Sequence, residues 1–143
     1  MERKANARWK GDLKNGNGTL STESGVLKDT SYAFSSRFEN GSGTNPEELI
    51  GAALAGCYSM ALSAALANAG HKPEDVRTDA RVMLEKVDEK MTITKIQLDT
   101  QGRVPGLDSD TFNDFAEKTR ESCIISRALT ADISVQAKLL QEA

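Results

Sequence analysis

The stretch that decides the fold runs from Asn45 to Leu62 and reads NPEELIGAALAGCYSMAL. It begins with helix-start signals, because an asparagine that can cap the helix precedes Pro46 at the first helical position and Glu48 at the third. No charged residue follows between Leu49 and Ala69. We therefore predict one long apolar helix that ends at Ala69–Gly70, where glycine supplies the C-terminal cap.

The uncharged part of this helix is long enough to span a membrane. Eight of its residues are alanine, however, and membrane insertion favours Leu, Ile, Phe and Val instead. A helix that is apolar on all sides and rich in small residues is typical of a closely packed central helix. Since one chain offers few elements that could cover it, we predict a homodimer in which the helices of two copies pack together.

The segments that flank the helix indicate an α+β fold, because strands and helices occur without regular βαβ alternation. The predicted strands cover residues 5–13, 18–23, 31–38, 78–87, 91–100 and 132–140, and the further helices cover residues 109–121 and 123–129. No repeat or linker divides the chain. We therefore predict a single domain over residues 1–143.

Composition argues against several classes of function. The 18 basic and 21 acidic residues are interspersed and give a net charge of −3, which leaves no basic surface for nucleic acid or an anionic membrane. The N-terminal sequence MERKANARWKGDL has no apolar signal region. Two widely separated cysteines do not form a secreted disulfide framework, so we expect a cytoplasmic protein with reduced thiols.

Metal-dependent chemistry has little support in the residues. His71 is the sole histidine and lies in a polar loop, and the two cysteines lack the spacing of zinc ligands. The same lone histidine gives no good case for a Ser/His or Cys/His nucleophile pair. We expect no metal site and interpret His71 as a solvated loop residue.

The two thiols are the remaining candidates for chemistry. Cys57 lies among Ala, Gly and Leu, where a free cysteine often serves as a small hydrophobic residue. Cys123 follows Ser122 at a predicted helix start, where amide donors and the helix dipole favour the thiolate. The residues alone therefore favour Cys123 as the more reactive thiol and leave a packing role open for both.

TNPEELIGAALAGCYSMAL carries an NPE helix start ten residues before one cysteine, and ESCIISRAL carries the second cysteine in a C-x-x-S segment. These two motifs resemble the osmotically inducible / organic hydroperoxide resistance (OsmC/Ohr) family of peroxidases. SRFENGSGTNPE resembles the OsmC branch. The likeness covers essentially the whole chain. It implies antiparallel sheets packed around a long central helix that bears a cysteine, in an intertwined homodimer.

The resemblance also implies a peroxidase mechanism of the antioxidant stress response. Cys57 would be the peroxidatic thiolate that becomes a sulfenic acid, and Cys123 would resolve it into an intramolecular disulfide. A dithiol, of lipoyl type in this family, would reduce the disulfide. Arg37, acting in its own subunit or in the partner subunit, would stabilise the thiolate, and Glu47 would orient Arg37 by a charge-assisted hydrogen bond. No metal, flavin or haem is needed.

A buried thiol has a raised pKa and becomes a nucleophile only if a cation offsets the burial, which is the role expected of Arg37. We expect an apolar pocket that selects organic hydroperoxides over hydrogen peroxide and includes Leu54, Met60, Phe34 and Phe38. The strand predicted over residues 31–38 turns Arg37 away from both phenylalanines, which leaves their place open. A dimeric protein that binds a hydrophobic ligand, with cysteines that only pack, is the alternative function.

Overall fold

The computed structural model describes residues 1–140, which form six strands and four helices. In chain order these are β1 (Ala5–Lys10), β2 (Asn17–Thr22), β3 (Thr30–Tyr32), α1 (Phe34–Phe38), α2 (Pro46–Asn68), β4 (Asp75–Val87), β5 (Lys90–Arg103), α3 (Ser109–Ser122), α4 (Ile124–Ala128) and β6 (Asp132–Leu139). The chain divides into two compact units, Met1–Leu49 and a second that begins at Ile50. Each unit is described by itself.

The first unit is built on an antiparallel sheet in the order β1-β2-β3. Gly18 of β2 lies opposite Trp9 on one side and Tyr32 on the other. A Cβ atom at Gly18 would lie 2.6 Å from ring carbons of both aromatic residues. The absence of a side chain at this position therefore lets the Trp9 and Tyr32 rings meet, with their centroids 5.3 Å apart.

The prediction of a strand over residues 31–38 is wrong, because β3 ends at Tyr32 and α1 begins at Phe34. The Ser36 hydroxyl accepts a hydrogen bond from the Ala33 N–H at 2.9 Å and lies 2.8 Å from the Thr44 carbonyl oxygen. The first helical turn leaves the Ala33 N–H without a backbone partner, and the Ser36 hydroxyl supplies one. This favours a helix over the strand that the alternating pattern predicts. The helical turn brings Phe34 onto the same face as residues 37 and 38.

Helix α2 has the predicted bounds to within one residue at its C-terminus. The Asn45 side chain caps it by accepting a hydrogen bond from the Glu48 N–H at 2.8 Å. At the other end Gly70 has a φ of +90°, a left-handed conformation that glycine adopts without strain. The His71 N–H then donates to the Leu66 carbonyl at 2.8 Å and satisfies one of the last free carbonyls of the helix.

The second unit contains the sheet β4-β5-β6. Strands β4 and β5 form an antiparallel hairpin, and the positive φ angles of Asp88 and Glu89 in its turn match the strand twist. The α+β class is confirmed, but the expectation of purely antiparallel sheets is wrong for β6, which pairs parallel to β5. The crossover through α3 and α4 gives the chain the length that a parallel connection requires.

The core of the second unit lies along one face of α2. Leu54, Tyr58, Leu62 and Leu66 follow one another at intervals of four residues and are all fully buried. They pack in one cluster with residues of the sheet and of α3, among them Ile96, Leu98, Phe112 and Ile133. The Tyr58 hydroxyl donates a hydrogen bond to the Ala116 carbonyl at 2.8 Å, which satisfies the polar end of this buried ring.

The opposite face of α2 is exposed and carries small residues and one methionine: Ala53, Gly56, Met60, Ala64 and Ala67. By length and composition α2 could cross a membrane, and only 28% of its most apolar segment is buried within the protein. The expectation that this helix is buried on all sides is therefore not met within one chain. The uncovered face is the surface that the predicted dimer would have to cover.

Candidate active site

The two cysteines, 66 positions apart in sequence, meet in the second unit with their Sγ atoms 3.0 Å apart. Both are free thiols. Cys57 lies near the middle of α2 and is half-buried, whereas Cys123 is 1% exposed. The sulfur atoms are close enough for a disulfide to form with only a small movement.

Cys123 occupies the junction between α3 and α4. Its N–H donates to the Thr119 carbonyl at 2.9 Å and closes α3, while its own carbonyl accepts from the Arg127 N–H at 3.1 Å. The backbone of Cys123 therefore belongs to both helices, which fixes the direction of its side chain. The next residues form the first turn of α4 and place Ser126 three positions after the cysteine.

The two thiols differ in acidity. Burial is the largest effect on Cys57 and raises its pKa, and the hydrogen bond and charge of Cys123 raise it further against the opposing amides of Ile125 and Ile124. Burial also disfavours ionisation of Cys123, but the Cys57 thiol, the N–H and hydroxyl of Ser126 and the N–H of Ile125 favour the thiolate more strongly and lower the Cys123 pKa. Cys123 is therefore the more acidic thiol, as the helix-start signal predicts.

Arg37 and Glu47 form an ion pair in the first unit. The Glu47 Oε1 atom lies 2.9 Å from Nη2 and 3.0 Å from Nε of Arg37. The Arg37 Cζ atom lies 5.0 Å from the centroid of the Phe38 ring, which is a cation–π distance. Glu47 is buried, and its Oε2 atom has no hydrogen-bond partner among residues 1–140. A buried carboxylate paired at one oxygen holds the guanidinium in one orientation.

A cavity of about 170 Å³ lies beside this pair in the first unit. Its walls are mainly aromatic and include Trp9, Leu13, Tyr32, Phe34, Arg37 and Phe38. The Phe34 and Phe38 ring centroids are 5.2 Å apart, one helical turn from each other. The helical conformation of α1 answers the question that the predicted strand left open, because Arg37 shares this cavity with both phenylalanines.

Sequence reasoning missed Trp9, Leu13 and Tyr32 as cavity residues. The available signal was the turn KNGNG between two predicted strands, which sets the register that brings Trp9 opposite Gly18. The other two predicted pocket residues belong to the second unit. Leu54 is fully buried in the core and offers no surface to a ligand, and Met60 is 76% exposed.

Residues 1–140 contain no group of three or more His, Cys, Asp or Glu side chains that could hold a metal ion. His71 is half-buried, unlike the solvated loop residue expected from sequence. Its ring lies edge-on to Phe115, with the centroids 6.3 Å apart.

The α+β fold and the two facing thiols agree with the family that the sequence resembles. Residues 39–138 match the family model described as OsmC-like protein. The chain belongs to the OsmC family, and the family prediction is confirmed. This match includes both cysteines and Glu47, whereas Arg37 precedes it.

Particular relatives narrow the placement within the family. Peroxiredoxin OsmC of Escherichia coli (strain K12) is 49% identical over 139 residues, which cover 97% of each chain. Among solved structures, an organic hydroperoxide resistance protein OsmC from Legionella pneumophila matches with a TM-score of 0.67 and 25% identity, over 96% of this chain and 97% of that one. An OsmC-like protein of unknown function from Vibrio cholerae shares the fold with a TM-score of 0.75 and 17% identity, over 96% and 99% of the two chains.

Proposed function

We propose that the chain is a thiol-dependent peroxidase that reduces organic hydroperoxides to alcohols. The observation that carries the proposal is the 3.0 Å approach of the Cys57 and Cys123 sulfur atoms. The 49% identity with a peroxiredoxin over nearly the whole chain supports the same chemistry. Cysteines that served only as small hydrophobic residues would have no need to bring their sulfur atoms into contact.

The reaction proceeds in two thiol steps. The Cys57 thiolate attacks the terminal oxygen of the hydroperoxide, the O–O bond breaks, and the alkoxide leaves as an alcohol after taking a proton. Cys57 is then a sulfenic acid. The Cys123 thiolate attacks the Cys57 sulfur, the S–O bond breaks, the hydroxide that leaves takes a proton from solvent to become water, and a disulfide joins the two residues.

Access decides which thiol meets the peroxide. Cys123 is the more acidic thiol, but at 1% exposure its sulfur offers almost no surface to a substrate. Cys57 is half-buried and can be reached. A thiolate that is acidic and enclosed suits the resolving role, because it attacks a neighbouring sulfur without leaving its position. This difference supports Cys57 as the peroxidatic residue.

Arg37 supplies the positive charge that ionises Cys57 and stabilises the developing charge on the peroxide oxygen, and Glu47 orients it. The family resemblance supports this role. So does the buried Glu47 carboxylate, because it keeps the guanidinium from turning freely in solvent. A fixed cation can offset the burial that raises the pKa of Cys57.

The aromatic cavity of the first unit supports the proposed substrate class. Its rings offer apolar contact to an alkyl or aryl group, and Arg37 provides one cation at the same cavity. Hydrogen peroxide has no apolar part and gains nothing from these walls. Organic hydroperoxides are therefore the preferred substrates.

A dithiol reduces the disulfide and completes the cycle, and by resemblance to the family the physiological reductant is of lipoyl type. A dithiol is suited to this step because its second thiol closes on the mixed disulfide and releases the enzyme. We place the reaction in the cytoplasm, where thiols are kept reduced.

The active form is a homodimer of single-domain chains. The exposed face of α2 supports this assignment, because Ala53, Gly56 and Ala64 let a second helix approach closely. A Cβ atom at Gly56 would meet nothing within 4 Å in the single chain, so the surface is open. An uncovered apolar face along a long helix is typical of a subunit interface.

A thiol count separates this function from that of a hydrophobic-ligand-binding protein. Reduced protein is incubated with one equivalent of cumene hydroperoxide, and free thiols are counted after quenching. We expect the loss of two thiols per chain and the release of one equivalent of cumyl alcohol. Survival of both thiols in the folded protein would rule out the peroxidase and favour the ligand-binding alternative.

A further inference from the structure

Ser126 carries a hydroxyl that the reaction described above does not use. It lies in α4, three residues after Cys123. Its Oγ atom is buried and makes no hydrogen bond with any partner among residues 1–140. A buried hydroxyl without a partner costs stability, so its presence requires an explanation.

The explanation lies in the charge state of the neighbouring sulfur. The N–H and the hydroxyl of Ser126 both lower the pKa of Cys123, so both interact more favourably with the thiolate than with the thiol. A protonated thiol is a weak acceptor, whereas a thiolate accepts hydrogen bonds strongly. A buried hydroxyl without a partner is therefore available to donate to the Cys123 sulfur when that sulfur becomes charged.

Cys123 acquires this charge whenever the disulfide is cleaved at Cys57. Attack on one sulfur of a disulfide expels the other as a thiolate, and cleavage is faster when the leaving thiol is more acidic. Cys57 is half-buried and Cys123 is 1% exposed, so access favours attack at the Cys57 sulfur. Acidity favours the same atom, because attack at Cys57 expels Cys123, the more acidic thiol.

The charged and titratable side chains of the packed helices do not alter this assignment. On α2, burial raises the pKa of Tyr58, which keeps its hydroxyl neutral. On α3, Arg120 pairs with Glu117 at 3.0 Å and with Glu121 at 3.4 Å, and on α4 Arg127 donates a hydrogen bond to the Ser122 carbonyl at 3.3 Å. The hydrogen-bond donors around Cys123 remain the local groups that favour its negative charge.

We propose that Ser126 is a positioning residue of the reductive half-reaction, whose hydroxyl donates a hydrogen bond to the Cys123 sulfur as that sulfur leaves, and so directs the external dithiol to Cys57. The inference rests on the proposed peroxidase cycle and deepens its second half. It assigns a role to the serine of the C-x-x-S segment.

One thiolate of the dithiol attacks the Cys57 sulfur, and the Cys57–Cys123 bond breaks with its electron pair on Cys123. The second thiolate of the reductant then attacks the first sulfur of the reductant, which is bonded to Cys57 in the mixed disulfide. The bond to Cys57 breaks, and Cys57 leaves as a thiolate. The dithiol loses two electrons and becomes a cyclic disulfide, and the protein sulfurs gain those electrons and take up protons from solvent.

The rate of disulfide reduction tests the proposal without requiring peroxidase activity. The disulfide form is prepared with diamide, and its reduction by dithiothreitol is followed by quenched thiol counting. Loss of one hydrogen bond to a charged group predicts that Ser126→Ala is reduced roughly tenfold more slowly. Ser126→Thr restores the hydroxyl and should recover most of the rate. Ser122→Ala removes an exposed hydroxyl on the other side of Cys123 and should match the wild type.

Two further readouts separate positioning from a purely structural role. In the Cys57→Ser background, thiolate absorbance near 240 nm should show that Ser126→Ala raises the Cys123 pKa. When the wild-type disulfide is treated with glutathione and the released thiol is alkylated, peptide mapping should find glutathione on Cys57. Glutathione on Cys123, or an unchanged reduction rate in Ser126→Ala, would overturn the inference.

Failure of the proposed function is distinguishable from failure of this inference. If wild-type protein does not consume cumene hydroperoxide in a single turnover, the peroxidase proposal fails. A slower reduction of the diamide-formed disulfide in Ser126→Ala would still support the role of Ser126. Normal peroxide consumption with an unchanged reduction rate would leave the peroxidase standing and remove the role of Ser126.

Discussion

The Sγ atoms of Cys57 and Cys123 lie 3.0 Å apart, yet the more acidic of the two thiols is the less accessible one. Acidity and access therefore belong to different residues. A reactive cysteine needs both a thiolate and an approach path for its substrate. In this pair Cys57 has the path, and the cation proposed to favour its thiolate is Arg37.

The roles of the two cysteines should be separable by single substitutions. We expect Cys57→Ser to lose reactivity towards alkyl hydroperoxide, because the remaining sulfur at position 123 is enclosed. Cys123→Ser should consume one equivalent of peroxide and stop at a sulfenic acid on Cys57, since no thiol is left to resolve it. A 1,3-dione reagent traps this acid, and peptide mapping locates it.

Steady-state turnover with a dithiol should be lost in Cys57→Ser and strongly reduced in Cys123→Ser. Circular dichroism of both variants controls for folding. A sulfenic acid trapped on Cys123 in the Cys57→Ser protein, formed at the wild-type rate, would reverse the assignment.

The pH dependence of peroxide reduction should shift when Cys123 is replaced. The hydrogen bond and the negative charge of Cys123 both raise the pKa of Cys57, and a serine hydroxyl at position 123 carries no charge and can donate to the Cys57 thiolate. Cys123→Ser should therefore lower the Cys57 pKa, although burial still acts on it. The rate of peroxide consumption rises as the pH passes through this pKa, so the profile of the variant should lie at lower pH than that of the wild type.

Single-turnover peroxide consumption between about pH 6 and about pH 11 measures the shift, because this range extends above the ordinary thiol pKa of about 8.5 and the Cys57 pKa is raised. A profile displaced to higher pH would contradict the proposed coupling between the two thiols.

Removal of the ion pair should slow the first chemical step without loss of the fold. We expect Arg37→Ala to reduce the rate of sulfenic acid formation by about 100-fold, the effect typical of losing one preorganised donor at a developing oxyanion. Glu47→Gln should give a smaller reduction, since it leaves the guanidinium in place but less strictly oriented. Stopped-flow measurement of peroxide consumption by reduced protein gives both rates.

Arg81→Ala is the matched control, because Arg81 forms an exposed ion pair with Asp99 at 3.2 Å in the sheet of the second unit. This variant should react at the wild-type rate. Equal losses in Arg37→Ala and Arg81→Ala would indicate a general electrostatic effect and would remove the proposed role of Arg37.

Helix α2 was predictable because its signals are local. The capping asparagine, Pro46 and the uncharged run are all read within one segment, and the observed helix ends one residue from the predicted position. Helix α1 was not predictable in this way. Its aromatic residues alternate as in a strand, and the helical turn depends on the Ser36 hydroxyl, which also lies 2.8 Å from a carbonyl oxygen eight residues away.

The candidate site was predictable in its chemistry and less so in its surroundings. The motifs marked Cys57 and Cys123, but no local pattern indicates that the serine three residues later would bury an unpaired hydroxyl beside them. The parallel pairing of β6 with β5 could not be predicted from the sequence of β6 either, because the direction of a strand depends on the route of the crossover that precedes it. Properties set by contacts between distant segments cannot be read from one segment alone.

Gly102 should tolerate no side chain, because a Cβ atom there would lie 2.6 Å from Cε1 of Phe112. Phe112 is fully buried, so its ring cannot move into solvent. We expect Gly102→Ala to lower the free energy of unfolding by about 1–3 kcal/mol, the usual cost of overpacking a core. Urea unfolding measures the change. The double variant Gly102→Ala with Phe112→Leu should be less unstable than the two single changes predict when added, and strict additivity would contradict the proposed clash.

Assembly should depend on the exposed face of α2. We expect Met60→Glu to weaken the proposed dimer, because a carboxylate would be buried between two helices without a partner. Light scattering at micromolar concentration should find twice the 15.4 kDa chain mass for the wild type and a shift towards the chain mass for the variant. Met91→Glu replaces another exposed methionine, at the β4–β5 hairpin, and should leave the dimer unchanged. A wild-type protein that scatters as a monomer would remove the proposed interface, and the apolar face of α2 would then need another explanation.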